Sequence, residues 1–484
     1  MIKHILIFIS CIAILANCQP ASSSSTVNQP DVDSTQVKVG YLDSILARKK
    51  LIALTDNSAT SYFIYRGQPM GYEYELLSLL ANYLNVDLEV KVIHDEDHIL
   101  DSLEAGIGDI AAANLTITND RRERVLFTLP HIKTKQVLIQ RMPENRYNLT
   151  YEQIERALVR EPLDLAGKKV YVPLNSSFYE RLVNLQSEIG DSIEIIGLPG
   201  EIQIDSIMSM ISRGVIDYSV TDENVARFYR AFYPNLDVKT PISFSQQIAW
   251  ALPAHADKLK DTIDFWMSDK KSKSQYAYIY NKYFKWAKQT SSKAKSEYNL
   301  AEGGRISPYD NVIKLYAKKM DWPWPLLASL IHQESQFDPD AVSWTGAKGL
   351  MQILPETAER FGVDSTQITE PEKNIMAGTM YLKWLYDYWL ENLDNDSIQS
   401  AKFALASYNA GLGHVKDAQR LAEKYELNSK VWNDNVAEMI LNKSKPTYYN
   451  DEVVLHGYCR GSEPYSYVKK IYALYDHYQN FLED

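Results

Sequence analysis

Glu334 is the acid whose setting points to chemistry. Leu326, Leu327, Leu330 and Ile331 precede it at helical spacing, and Glu334 shares the apolar face of the last two. After it comes a loop rich in small residues, through Ser343, Gly346 and Gly349. A carboxyl group in an apolar groove disfavours its charged form, so its pKa rises toward neutrality and it becomes a general acid. Glycoside cleavage needs such an acid to protonate the leaving oxygen while an oxocarbenium-like state develops. Periodicity alone favours a plainer reading, a Glu that ends a helix and bonds to the loop beneath it.

Two other constellations merit weighing. Arg121 stands beside Arg122 and Arg124; a planar guanidinium can clamp a carboxylate bidentately, and three together can equally be a solvated charge cluster. His94-Asp-Glu-Asp-His98 has histidines four apart with acids between, a spacing that could suggest a metal on a helix. It directly follows an alternating strand, so it reads as a solvated turn, and neither a metal nor a cofactor is expected.

The elements that must position these residues form two halves. At 484 residues, two or three domains are expected, and 45% hydrophobic with 23% charged content is globular. A net charge of −11 argues against broad binding to nucleic acid. The 33 Tyr supply many faces able to stack on sugars, although most will be packing. Leu51 to Thr55 reads as a strand and Gly71 to Leu84 as an amphipathic helix. Val86, Leu88, Val90 and Val92 alternate with polar residues as in a half-buried strand. A helix near Ile99 to Ala105 then leads into Asp109-Ile-Ala-Ala-Ala. A similar series follows Lys168, with strands near Val170–Val172, Ile193–Ile196 and Asp217–Val220 and helices between. Two α/β lobes with a ligand cleft between them are expected. From about Ile306 apolar residues recur at three and four, which implies a mainly α domain.

The ends and joints complete the plan. Lys3 and His4 precede an apolar run from Ile5 to Ala16, short for a span and suited to a secretory signal. Residues 1–17 are read as that signal, 18–45 as the mature N-terminus and flexible tether, 46–288 as the α/β domain, 289–304 as a linker and 305–484 as the helical domain. Cys11 falls in the signal; Cys459 has no cysteine with which to pair in the mature chain and is expected buried and inert.

Several blocks carry resemblances. Leu15-Ala16-Asn17-Cys18 resembles a bacterial lipobox, with Asn17 where a small residue is usual; this implies acylation of Cys18, and an ordinary cleaved signal is the alternative. Gln19 stands where an inner-membrane retention signal would place Asp, favouring the outer membrane. The run Glu334-Ser335-x-Phe337-Asp338-Pro339 through Gly349-Leu350-Met351-Gln352-Ile353-x-Pro355 resembles the signature of lytic transglycosylases with a goose-lysozyme-like domain. Ala406-Ser407-Tyr408-Asn409-Ala410-Gly411 and Glu463-Pro-Tyr-Ser-Tyr467-Val resemble that family's later motifs, with Leu412 and His414 where it usually has Pro and Arg. The resemblance implies that Glu334 is the single acid/base and that peptidoglycan glycan strands are the substrate. It implies that Ser335, Ser343, Gln352, Tyr408, Asn409 and Tyr467 line the groove and that Glu463 orients it through hydrogen bonds. Gly71-Tyr-Glu-Tyr-Glu-Leu, Gly108-Asp109-Ile-Ala and Leu115-Thr-Ile-Thr-Asn-Asp-Arg121 resemble the family 3 solute-binding proteins. That implies a periplasmic-binding-protein-like fold in which Arg121 takes a ligand carboxylate, Asp222 its amine, and Thr116 and Ser176 add donors. Together these imply a lipid-anchored wall lyase on the periplasmic side of the envelope, with a domain that senses amino acids or muropeptides. A lysozyme-type hydrolase and a binding protein with an inactive helical domain are the alternatives.

Overall fold

The computed structural model describes residues 40–93, 98–199, 202–286, Lys293 and 305–482. The signal, Cys18, most of the tether, His94 and the expected linker 289–304 apart from Lys293 lie outside the described residues. The chain enters the first domain through the helix Tyr41–Arg48, whose Ile45 is fully buried, so part of the expected tether belongs to the domain.

Two five-stranded sheets make the two lobes. In the first, the order is Asp87–Val92, Lys50–Thr55, Ile110–Ala111, Ala251–Pro253 and Val125–Phe127. Its first three strands are parallel, as strand–helix–strand connections require, and Ala251–Pro253 runs antiparallel to both its neighbours. The second lobe orders Glu194–Leu198, Lys169–Pro173, Tyr218–Asp222, Gln136–Arg141 and Leu236–Asp237. The chain crosses between lobes twice, through Ile132–Thr134 and Gln246–Ile248, which pair antiparallel. The cleft between the lobes therefore hangs on a two-strand ribbon.

The second domain is helical. Its core gathers Leu327, Leu330, Ile331, Met351, Trp389, Phe403 and Ile471, all fully buried. The helix Trp324–Ser335 packs along Ser462–Gln479, and Pro371–Asn392 along Ser397–Ala410. Cys459 is buried, as expected. Among the described residues no helix is long and apolar enough to cross a membrane.

The domains share an interior. The hairpin of Phe63–Tyr65 and Gln68–Met70, from the first lobe, lies against the Trp324–Ser335 helix. Ile64 is fully buried within the helical domain's core. Gln68 Nε2 donates to His332 Nε2 at 2.8 Å, and Tyr478 Oη donates to the Gly67 carbonyl at 3.1 Å. Gly67 has φ +76°, and a Cβ there would meet His332 and Tyr478, so glycine is required twice over. Tyr62 bonds His477 at 2.7 Å, Asn480 Nδ2 donates to the Val90 carbonyl at 2.9 Å, and Lys469 pairs with Asp87 at 2.6 Å.

Candidate active site

Glu334 is the penultimate residue of its helix, which ends where Gln336 takes a left-handed conformation (φ 52°). Ser335 then ties the helix end to the loop, its Oγ donating to the Leu350 carbonyl at 2.8 Å. That loop is a tight ladder: Ser343 N donates to Ala347 O and Gly349 N to Ala341 O, each at 2.9 Å. Gln352 braces it from within, its Nε2 donating to the Ala341 and Gly349 carbonyls at 2.9 Å. Asn374, fully buried, accepts from Met351 N at 2.7 Å and donates to Lys348 O and Ile368 O. At Gly349 (φ +77°) a Cβ would strike Asn374 Nδ2, so the close approach needs glycine.

The hydroxyl of Tyr467, from the Ser462–Gln479 helix, donates to Glu334 Oε1. Tyr408 reaches the same corner from the Ser397–Ala410 helix, its Oη donating to the Met351 carbonyl at 2.8 Å. Burial raises the Glu334 carboxyl to about 7, and the Tyr467 hydrogen bond, which favours the carboxylate, offsets part of that rise. Burial, then the neighbouring Glu334 charge, pushes both phenols well above their ordinary value, so they remain donors. A carboxyl group that titrates near neutrality and is oriented by a tyrosine is what the arrangement provides.

The expected groove residues separate into kinds. Glu334, Tyr408 and Tyr467 converge, and Tyr467 bonds the acid directly, a more intimate place than the groove wall expected for it. Ser343 bonds Thr345 Oγ1 at 2.8 Å and receives Ala347 N at 2.9 Å, and Gln352 is likewise spent on the loop. These are the loop-satisfying roles that their types also allowed. Asn409 is exposed at the helix end before Gly411. Glu463 departs from expectation: it is 59% exposed and pairs with Arg460 at 3.0 Å, three residues earlier, so its bond is made at the surface. Sequence reasoning missed Asn374, whose role needs three separate loops to meet. The loop after Glu334 also presents Trp344, 98% exposed, an indole among small residues.

In the first domain a cavity of about 410 Å³ lies in the cleft, with Thr116, Arg121 and Ser176 on its walls. Thr116 is buried and its Oγ1 has no hydrogen-bond partner. Arg121 donates to the Thr116 carbonyl at 3.0 Å, while Ser176 caps the helix Ser177–Ile189. Asp222 is fully buried beside them, with Asn114 donating to Oδ2 at 2.8 Å and Oδ1 unpartnered. Burial lifts its carboxyl to about 7, opposed by Asn114 and the Arg121 charge. Asp56, buried and lining the same cavity, was not anticipated.

The helical domain with its recessed acid is a transglycosylase domain, joined to a solute-binding-protein-like domain with its own cleft. Residues 311–431 match the family described as transglycosylase SLT domain, and residues 51–286 match the bacterial extracellular solute-binding proteins, family 3. A membrane-bound lytic murein transglycosylase F of Desulfosudis oleivorans is 32% identical over 431 residues, covering 88% of this chain and 89% of that protein. One of Saccharophagus degradans is 33% identical over 454 residues, covering 89% and 82%. The chain belongs to the membrane-bound lytic murein transglycosylase F family. Among solved structures it is similar to the P235GK mutant of ArgBP from T. maritima, with TM-score 0.42 and 21% identity over 50% of this chain and 99% of that one.

Proposed function

We propose that this chain cleaves the β-1,4 bond between N-acetylmuramic acid and N-acetylglucosamine in peptidoglycan and leaves 1,6-anhydro ends. The observation that carries this is Glu334, a recessed acid held near neutrality whose hydrogen-bond partner is a tyrosine. The acid gives its proton to the glycosidic oxygen as the C1–O bond breaks. The carboxylate so formed takes the proton of the muramyl 6-hydroxyl as that oxygen bonds to C1. The acid is thereby restored, and water takes no part. An intramolecular nucleophile makes the second carboxylate of ordinary glycosidases dispensable. Tyr408, Tyr467 and Ser335 hold the corner, with Ser343, Gln352, Asn409 and Glu463 on the surrounding loops and helix. Mass spectrometry of digested sacculi tests the reading: anhydro products lighter by one water are expected, and reducing ends would establish a hydrolase.

The activity has a pH signature. Because the first proton transfer needs the acid form, the rate is expected to fall as pH rises through about 7. Tyr467→Phe removes a bond that favours the carboxylate, so that descending limb should move about one unit higher. A limb that stays put in rate–pH measurements on the variant would discard Tyr467 as a partner of the acid.

The proposal extends to the rest of the chain. Residues 1–17 form a signal and Cys18 a lipid anchor that holds the enzyme at the periplasmic face of the outer membrane. A solute-binding domain that begins with the Tyr41–Arg48 helix and runs to 288, a linker (289–304) and a transglycosylase domain (305–484) follow. The first domain's cleft takes amino acids or muropeptides, with Arg121 on the carboxylate, Asp222 on the amine and Thr116 and Ser176 alongside. Supporting this, Thr116 and Asp56, each with a buried oxygen that has no hydrogen-bond partner, line one cavity with Arg121, and Asp222 lies buried behind Asn114 on its wall. Calorimetry with wall stem peptides and amino acids should give saturable binding that Arg121→Ala weakens about tenfold or more. A flat titration in the wild type would remove the sensing role.

A further inference from the structure

A row of aromatic rings runs outward from the catalytic corner. Tyr408, whose hydroxyl is tied to the Met351 carbonyl, lies 5.3 Å between ring centroids from Tyr381. Tyr381 lies against Trp384, three residues further along the same helix, at 6.2 Å with the ring planes 15° apart. That helix, Pro371–Asn392, already fills its inner face with Leu382, Leu385 and Trp389, all fully buried. Trp384 stands on the outer side and is 39% exposed, with Met380 exposed one turn before it.

A cation completes the ledge. Arg360 ends the helix Pro355–Arg360 that follows the active-site loop, and its Cζ sits 5.2 Å from the centre of the Trp384 ring. Arg360 is exposed, and among the described residues no carboxylate pairs with it. Burial raises the Tyr381 phenol against the opposing Arg360 charge, so that ring stays neutral beside the guanidinium. A single exposed apolar side chain is ordinary. An exposed indole that extends a row of rings from the acid, under an unpaired guanidinium, is a more particular arrangement.

We propose that Trp384 and Arg360 form a subsite of the glycan groove that selects muramyl residues still carrying their stem peptide; this rests on the transglycosylase reading. The C–H face of the sugar lies on the indole, which takes both apolar surfaces out of water. The guanidinium takes a carboxylate of the peptide. An exposed cation–π contact is weaker than a charge-assisted bidentate pair, so a carboxylate draws Arg360 off the ring and opens the face it covered. The peptide thereby uncovers the platform that the sugar uses, and a stripped strand meets a ring still occupied by its own cation.

The test uses the full chain with Glu334→Gln, which holds the strand without turnover. Calorimetry follows its titration with soluble wall tetrasaccharides, either bearing tetrapeptide stems or stripped of them. Tighter binding of the peptide-bearing sugar is expected. Arg360→Gln, added to that background, should weaken it about fivefold or more and leave the stripped sugar bound no more weakly than before. Trp384→Ala should likewise weaken the peptide-bearing sugar, and Trp384→Phe, which keeps a ring face, should retain most of the affinity. Unchanged affinity for the peptide-bearing sugar in Arg360→Gln or in Trp384→Ala overturns the subsite and leaves the reaction standing. Saturable binding of neither sugar overturns the transglycosylase reading, and the subsite with it.

Discussion

Glu334→Gln should release anhydromuropeptides from sacculi about 10³-fold more slowly than the wild type, or not measurably. General acid–base transfer contributes about 10²–10⁴-fold, and in the proposed mechanism one group serves both the donation and the return of the proton. The substitution is close to isosteric, and its amide oxygen can still accept from Tyr467, so the fold and the corner geometry should persist. The loss is then chemical, about 4 kcal/mol of barrier or more. Quantifying anhydro products over time settles it: an amide variant working at the wild-type rate would place the chemistry elsewhere.

The largest expected loss of stability lies away from the acid, at Asp417. Its side chain and that of Lys443 are both fully buried, paired at 2.5 Å. Asp417 also accepts from Leu455 N at 3.0 Å and His456 N at 2.9 Å and bonds Arg420, pinning the chain before the Ser462–Gln479 helix. Burial alone would raise its carboxyl; Lys443 and the backbone donors outweigh that and hold it at about 2. Burial pushes Lys443 the other way, downward, with Asp417 opposing. The short contact and the depressed carboxyl favour the ionised pair. Asp417→Asn keeps the shape and strands a buried ammonium, which should cost about 3–5 kcal/mol. A urea midpoint equal to wild type would show that the network carries no such weight. With the folded pKa below the unfolded one near 4, the contribution should be complete above pH ~4 and lost as pH falls through about 2.

What could be read in advance follows the range of the interactions. Strands such as Asp87–Val92 and the helix Tyr72–Leu84 announce themselves because burial on one side imposes a local period. Glu334 was legible for the same reason, sitting one turn beyond Leu330 on a helix whose continuation is a dense motif. Its partner Tyr467 lies 133 residues away, and its bond to the acid follows from the packing of two helices, which leaves no periodic trace. Glu463 was misplaced because residue type and motif position do not say which way a side chain near a helix start will face. The contact of Gln68 with His332 spans 264 residues and two domains, and a hairpin so short gives no hint of it. Local order was visible; distant pairing was not.

The shared interior has a consequence for how such chains can be altered. Because Ile64 belongs to the core of the other domain, a cut at the joining segment would not divide the protein where its packing divides. The catalytic half would leave with a greasy socket open to solvent beside His332, and the binding half with an exposed apolar tip. Exchange of the binding module for another of the same fold must carry the eight residues Phe63 to Met70 along with it, or redesign the helix they touch. Gene-level modularity and physical modularity part company at that hairpin.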